Sequence, residues 1–161
     1  MKIRVGFGFD VHPLEEQYDL WLGGIKIPSR KGAVGHSDAD VLIHAICDAL
    51  LGAANLGDIG FQFSNQDDRW KGKDSKFFLK EVTRMLEEKG WKIGNVDCTV
   101  CLENPKISTH IAEMKKALAP LMKVEDDDVS IKATTNEALG YVGRGEGVNA
   151  YAVALISRAD A

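Results

Sequence analysis

The stretch Ile3-Arg4-Val5-Gly6-Phe7-Gly8-Phe9-Asp10-Val11-His12-Pro13 alternates bulky apolar side chains at 3, 5, 7 and 9 with Arg4, Gly6 and Gly8. That period of two defines a strand. The pattern breaks at Asp10-Val11-His12-Pro13, where the strand is expected to end. Asp10 and His12 stand two apart, so on an extended chain both side chains leave by the same side. Downstream, Leu20-Trp21-Leu22 and Ile25-Lys26-Ile27 flank Gly23-Gly24, paired glycines that tolerate the positive φ of a two-residue hairpin turn. Leu42, Ile46, Ala49, Leu50 and Ala53 recur at helical spacing and predict a helix over 38–54, with Ser37 and Asp40 in the form of an N-terminal capping box.

Residues 57–73 carry Gly, Asn, Gln and Asp without apolar periodicity; they predict a long loop, which compact domains tend to keep for function. A second amphipathic helix is expected over 75–89, burying Phe78, Val82, Met85 and Leu86 and stopping at Gly90. Val96, Cys98, Val100 and Leu102 alternate as another strand, ended by Asn104-Pro105, and Ile111, Met114, Leu118 and Leu121 mark a third helix. Val129, Ile131 and Ala133 read as a short strand and 148–156 as a final one, separated by a loop at 140–147. The sum is an α+β fold: one domain over 1–161, with a mixed sheet, a hairpin and helices packed on one face.

Of the 161 residues, 45% are hydrophobic and 27% charged, the proportions of an ordered globular chain. Twenty basic against 24 acidic side chains leave a net charge of −4, which supplies no basic footprint for nucleic acid. No apolar run approaches the length of about 18 residues that a bilayer span needs. Met1 leads straight into strand-like sequence, and the three cysteines are too few and too odd in number for a disulfide scaffold, so a cytoplasmic location is expected. Cys98 and Cys101 stand at an odd offset on their strand and should face opposite ways, one thiol in the core and one at the surface. A dinucleotide fingerprint fails at Val11 and a P-loop at Asp67 and Asp74, each lacking the required residue. Glu125-Asp126-Asp127-Asp128 lacks the glycine and spacing of a calcium loop and reads as a solvated turn.

Three constellations bear on chemistry. Asp10, His12 and His44 make the carboxylate-and-two-imidazole set of a catalytic zinc with one position open; such residues also serve as a turn cap and hydrogen-bonded histidines. His44 lies four residues beyond Asp40, so on the expected helix both share a face near its N-terminal end. His36-Ser37-Asp38-Ala39-Asp40 crowds an imidazole, a hydroxyl and two carboxylates at a helix start, where capping and anion binding both belong. Ala133-Thr134-Thr135-Asn136-Glu137 and the later Gly140-Tyr141-Val142-Gly143-Arg144-Gly145-Glu146-Gly147 offer hydroxyls, amides and a guanidinium fork that suit phosphate oxygens. A cap followed by a glycine turn uses the same residues.

Taken in order along the whole chain, Gly8-Phe9-Asp10-Val11-His12, His36-Ser37-Asp38, Gly57-Asp58-Ile59-Gly60, Lys132-Ala133-Thr134-Thr135 and Gly143-Arg144-Gly145-Glu146-Gly147 closely resemble the 2-C-methyl-D-erythritol 2,4-cyclodiphosphate synthase family. The resemblance implies a phosphorus-oxygen lyase of the non-mevalonate isoprenoid pathway, which converts 4-diphosphocytidyl-2-C-methyl-D-erythritol 2-phosphate to the cyclic diphosphate and CMP. It implies Zn2+ on Asp10, His12 and His44, and Mg2+ or Mn2+ at Glu137 with the substrate diphosphate. His36 and Thr135 match residues credited with stabilising the transition state, with Ser37 beside them. Asp58, Ile59 and Gly60 match the part that holds the erythritol hydroxyls. Asn104, Pro105, Lys106 and Thr134 match the cytidine and phosphate side, with Arg144 nearby, and Asn65, Asp67 and Tyr141 complete the implied substrate contacts. A homotrimer is implied too, with sites between subunits and an apolar central cavity near Phe9 and Glu146 able to take an apolar ligand. Phe63-Ser64-Asn65-Gln66-Asp67 departs from the family's usual Phe-Pro-Asp with a further Asp two residues on. Ala39 replaces a usual glycine, and Asn136 and Tyr141 a commoner threonine and phenylalanine.

Other readings draw on the same residues. A metal-dependent phosphoesterase would use the three ligands to activate water, and a noncatalytic trimeric nucleotide-binding protein would use only the phosphate grip. An iron oxygenase also takes two histidines and a carboxylate, but leaves the Thr/Glu and Arg/Gly runs idle.

Overall fold

In the computed structural model, which describes residues 1–64, 66–70 and 72–159, the opening strand β1 spans Lys2–Glu16 and so runs past its expected end. Pro13, which has no N–H to donate, sits where the strand changes partner. Lys2 to Pro13 pair antiparallel with β7 (Gly147–Arg158), and Leu14 to Glu16 pair with β4 (Lys31–Ala33). A missing donor is tolerated at such a changeover. The Pro13 carbonyl still accepts from Val34 N–H (3.0 Å), and Leu14 N–H donates to Glu146 O (2.9 Å). With β5 (Lys92–Cys101) and β6 (Val129–Thr134), the main sheet is ordered β4-β1-β7-β5-β6. Only β5 and β6 pair in parallel, so the sheet is mixed, as expected. The hairpin of β2 (Leu20–Leu22) and β3 (Ile25–Ile27) stands apart, turning on Gly23 and Gly24 at φ 61° and 79°.

Helices α1 (Val41–Ala54), α3 (Ser75–Glu88) and α4 (Ile111–Met122) supply the core. Leu42, Ile43, Ile46, Leu50, Leu79, Leu86, Met114 and Leu118 are all fully buried. The alternation read in β1 explains why α1 can lie so close: a Cβ at Gly6 would stand 1.9 Å from Ala49 O, and one at Gly8 2.0 Å from Ala45 O. The opposite face of the sheet leaves Val5, Phe7, Phe9, Val11, Tyr151 and Val153 exposed. Among the described residues, no helix is long and apolar enough to cross a membrane.

Several expectations are corrected. Helix α1 begins at Val41, not residue 38, because Ala39 takes a left-handed φ of 56° that a helix cannot pass through. Its cap is Asp40, which accepts from Ile43 N–H. Ser37 forms no capping box; its hydroxyl accepts from Ala39 N–H at 3.2 Å. The 57–73 segment holds a short helix, α2 (Ile59–Gln62), and a 3-10 turn at Asp68–Trp70. Its order comes from aromatic packing rather than periodicity: Phe63 lies 5.0 Å from Phe78 and 5.6 Å edge-on from Trp70, centroid to centroid. The 140–147 loop contains α5 (Gly140–Gly143). Strand β5 ends one residue early, at Cys101, and that thiol is buried, not at the surface. It pairs across to Asn149, whose amide Nδ2 lies 2.6 Å from the overlying Tyr141 hydroxyl.

Candidate metal centre and its surroundings

Asp10 and His12 leave β1 on the same side, as their spacing predicts, and α1 brings His44 down between them. His12 Nε2 lies 2.9 Å and His44 Nδ1 3.0 Å from Asp10 Oδ2, and the two nitrogens lie 3.2 Å apart. A tetrahedral zinc with arms of roughly 2.0–2.1 Å spans edges of about 3.3 Å, so the three atoms form one near-correct face. They are the one such group found among the described residues.

The far nitrogen of each ring decides which lone pair is free. His12 Nδ1 lies 3.0 Å from Val34 O; a carbonyl only accepts, so Nδ1 carries a proton. His44 Nε2 lies 2.9 Å from Ser75 Oγ and 3.3 Å from Ser37 Oγ. A metal-ligating histidine is oriented in this way through its other ring nitrogen, and the residues present therefore fit a cation.

Burial alone would raise the Asp10 pKa, but hydrogen bonds from His12 and His44 outweigh it and hold the carboxyl at about 2. Burial opposes a charged His12, yet the hydrogen bond and charge of Asp10 raise it above its ordinary value. In the metal-free protein, Asp10 lends stability that is lost as pH falls toward 2. His12 lends stability present below its unfolded pKa and lost as pH rises through its raised folded one. Proton and metal compete for His12 Nε2. We therefore expect metal affinity to rise from about pH 5 to about pH 8, with a proton released on binding. Titration calorimetry in buffers of different ionisation enthalpy counts that proton; metal binding at pH 6 without release would contradict the competition.

A cavity of about 480 Å³ opens over the triad, lined also by His36, Ser37, Ile59, Gly60, Asp67 and the aromatic Trp70 and Phe78. Asp58 caps α2, accepting from Phe61 N–H at 2.8 Å, while Asp48, one turn beyond His44, accepts from Ile59 N–H at 2.8 Å. The start of α2 is thus pinned to α1, the helix that carries His44. Asp67 is held by Arg69, whose Nε donates to its carboxylate at 2.9 Å. Asp40 does not reach the cavity; it turns into the core and accepts from Gly23 and Gly24 N–H at 3.0 and 2.7 Å. Asn65 lies outside the described residues.

The remaining residues gather elsewhere. Parallel pairing sets the C-terminal ends of β5 and β6 side by side, and Leu102 N–H donates to Thr134 O (3.0 Å). Asn136 N–H donates to Glu103 Oε2 at 3.1 Å. The Thr134–Glu137 run is therefore tied to Leu102 and Glu103, which lead directly into Asn104, Pro105 and Lys106. Glu137 and Ala138 both have left-handed φ, 52° and 62°, and the Thr135 hydroxyl reaches Glu137 Oε1 (3.3 Å). Asn104 and Pro105 line a second cavity with Arg30 and Lys31. Arg144 is exposed and forks onto Glu146, both contacts at 2.9 Å. Val11, Asn149, Cys101 and Thr134 are successive cross-strand partners, so three steps of about 4.8 Å separate the triad's level on β1 from Thr134, roughly 14 Å.

Ser75 and the Val34 carbonyl behind the histidines are not marked by the sequence, and Asp38, though part of the His36-Ser37-Asp38 motif, has no role assigned to it there. Their contacts to the rings bridge 22 or 31 residues, or pass through another side chain, so no local spacing signals them.

This sheet, with a carboxylate–dihistidine centre at the foot of its longest helix-covered strand, belongs to a defined family: the chain is a member of the YgbB family, whose sequence profile matches residues 3–157. The 2-C-methyl-D-erythritol 2,4-cyclodiphosphate synthase of Cytophaga hutchinsonii is 67% identical over 156 residues, covering 97% of this chain and 98% of its own. A solved 2C-methyl-D-erythritol-2,4-cyclodiphosphate synthase in its CDP-bound form superimposes with a TM-score of 0.89 at 40% identity, over 96% of this chain and all (100%) of that one. The bifunctional IspDF of Campylobacter jejuni gives a TM-score of 0.94 at 36% identity, over 99% of this chain; the match spans 43% of that longer protein.

Proposed function

We propose that this chain converts 4-diphosphocytidyl-2-C-methyl-D-erythritol 2-phosphate to 2-C-methyl-D-erythritol 2,4-cyclodiphosphate and CMP. The observation that carries the reading is the triad of Asp10, His12 and His44 closed to 2.9–3.2 Å in a member of this family. An oxygen of the substrate's 2-phosphate attacks the β-phosphorus, the bond from that phosphorus to the bridging oxygen breaks, and CMP leaves with the electron pair. No protein nucleophile is needed. The barrier lies in bringing anion to anion, and holding the two phosphates in line is worth about 7–11 kcal/mol where orientation is complete.

Zn2+ on the triad would supply Lewis-acid charge to a phosphoryl oxygen, and Mg2+ or Mn2+ at Glu137 would neutralise charge on the diphosphate. The chain's own residues do the rest. His36, exposed at the cavity wall, and Thr135 donate hydrogen bonds to the phosphoryl oxygens in flight, with Ser37 beside them. Asp58 and the Ile59–Gly60 backbone hold the erythritol hydroxyls, with Asn65 and Asp67 from the same segment. Asn104, Pro105, Lys106, Thr134, Tyr141 and Arg144 take the cytidine and phosphate side; a cytidine nucleotide is what the CDP-bound relative holds.

One subunit cannot bring both halves together, since roughly 14 Å of sheet exceeds the reach of a diphosphate. A homotrimer that sets the Thr134–Glu137 run of one protomer against the triad of the next resolves this. The apolar face that would close it is present: Phe7 is 64% exposed, Val5 63%, Phe9 41% and Val11 43%, a patch of the kind that marks assembly. Such a centre would leave an apolar cavity near Phe9 and Glu146, and three unpaired, buried thiols suit the reducing cytoplasm.

The test is product analysis with the cytidyl substrate under zinc and magnesium. Cyclic diphosphate with equimolar CMP is expected. An acyclic phosphate would instead identify a phosphoesterase, and tight CMP binding without turnover a nucleotide-binding protein.

A further inference from the structure

Behind His44, away from the cavity, lie two residues that the reaction as described does not use. Ser75 is fully buried at the start of α3, and Asp38 is half-buried in the turn before α1; neither lines the cavity. An ionised carboxylate has only lone pairs to offer. Asp38 Oδ2 accepts from Ser75 N–H at 2.9 Å, and Oδ1 accepts from Asp40 N–H at 3.2 Å and from the Ser75 hydroxyl in a short contact. The hydroxyl proton is thereby committed to Asp38. Ser75 Oγ, 2.9 Å from His44 Nε2, then meets the ring with a lone pair, so Nε2 must carry a proton; Nδ1, 3.0 Å from Asp10 Oδ2, is left bare for a metal once the cation displaces the proton that this ring nitrogen shares with Asp10.

We propose that Asp38 and Ser75 form a one-way hydrogen-bond relay that fixes the His44 tautomer and aims its Nδ1 at the metal. Both are positioning residues. The relay does for His44 what the Val34 carbonyl does for His12, with a side-chain chain in place of backbone. Ser37 Oγ, 3.3 Å from the same Nε2, is a longer, reserve acceptor. The inference rests on the metal reading above, and it deepens that reading by naming what makes the third ligand competent.

The test has two readouts that need no turnover: zinc affinity by competition with a chromophoric chelator, and ¹⁵N spectra of the His44 ring in metal-free protein. Ser75→Ala should weaken zinc by about 10–100-fold and shift the ring's proton population from Nε2 toward Nδ1, the side of Asp10. Ser37→Ala with Ser75→Ala should weaken it further, and Ser75→Thr, which keeps the hydroxyl, should restore it. Thr83→Val removes another buried hydroxyl of α3, one bonded at 2.9 Å to Leu79 O. It should cost stability without changing zinc affinity, which separates positioning from general loosening.

Wild-type affinity with unchanged ring signals in Ser75→Ala overturns the relay alone. Zinc binding that survives Asp10→Asn overturns the metal reading and the relay with it. Should Ser75→Ala fail to fold, Asp38→Asn, which keeps the volume of the carboxylate, undergoes the same measurement; unchanged affinity and tautomer there also overturn the relay.

Discussion

Replacing His44 by alanine is expected to abolish both zinc binding and turnover, with CMP release falling about 1,000-fold or more, while the chain stays folded. His44 Nδ1 closes the triad at 3.0 Å from Asp10 Oδ2 and 3.2 Å from His12 Nε2. Without it only two protein ligands remain, too few to hold a catalytic zinc. A metal's charge on a phosphoryl oxygen is worth several kcal/mol, and each 1.4 kcal/mol or so is tenfold in rate. The fold survives because the residues that fill the core around it, Leu42, Ile43, Ala45 and Ile46, are fully buried on their own account. The space left by the ring opens toward the cavity, where water can enter. Metal content by mass spectrometry, melting temperature and CMP release are measured on one preparation. A variant that is metal-replete and active would remove His44 from the centre.

What could be seen in the sequence follows from how far each signal reaches along the chain. The alternation in β1 and β7, the helical spacing of α1 and α3 and the Gly23-Gly24 turn are carried by neighbours, and all appear in the structure. The start of α1 could not be read that way, because Ala39 adopts a left-handed φ of 56° that nothing in His36-Ser37-Asp38-Ala39-Asp40 announces. The added strand β4 and the continuation of β1 past Pro13 depend on a partner found elsewhere in the sheet. Cys101 is buried on a strand whose cross-strand partner there, Asn149, comes from a distant segment. The same logic divides the site. Asp10 and His12 are legible as a pair from their spacing, whereas His44 joins them in the sequence only by residue type, a grouping that the likeness of five separated motifs to a known family then supports. The contacts of Ser75 with His44 and Asp38, 31 and 37 residues away in sequence, had no such signal, because Asp38 lies in one of those motifs but Ser75 in none. The roughly 14 Å between the triad and Thr134 was likewise hidden until strand order was known.

Gly8 ties the fold to the chemistry, and Gly8→Ala should damage both. Its added Cβ would lie 2.0 Å from Ala45 O and 2.7 Å from Ala49 N, far inside contact distance and against backbone that has no rotamer to yield. Helix α1 would have to lift off β1 by more than about 1 Å, and overpacking of that kind costs about 3 kcal/mol or more. Ala45 follows His44 directly, so the lift carries the third ligand away from Asp10 and His12, and a misplacement of about 1 Å is enough to cost roughly 100-fold in rate. Gly6→Ala meets α1 a turn further on, at Ala49 O. It should destabilise the fold by a similar amount while weakening zinc less, because the N-terminal turn of α1 can stay in place. Gly52, on the same helix, has nothing within 4 Å of where a Cβ would stand, and Gly52→Ala should raise stability by about 0.5–1 kcal/mol. Denaturant unfolding and zinc competition on the three variants separate the terms. If Gly8→Ala lost stability yet kept wild-type zinc affinity, the close approach of α1 to β1 would be a packing feature only, and the seating of His44 would have to come from elsewhere.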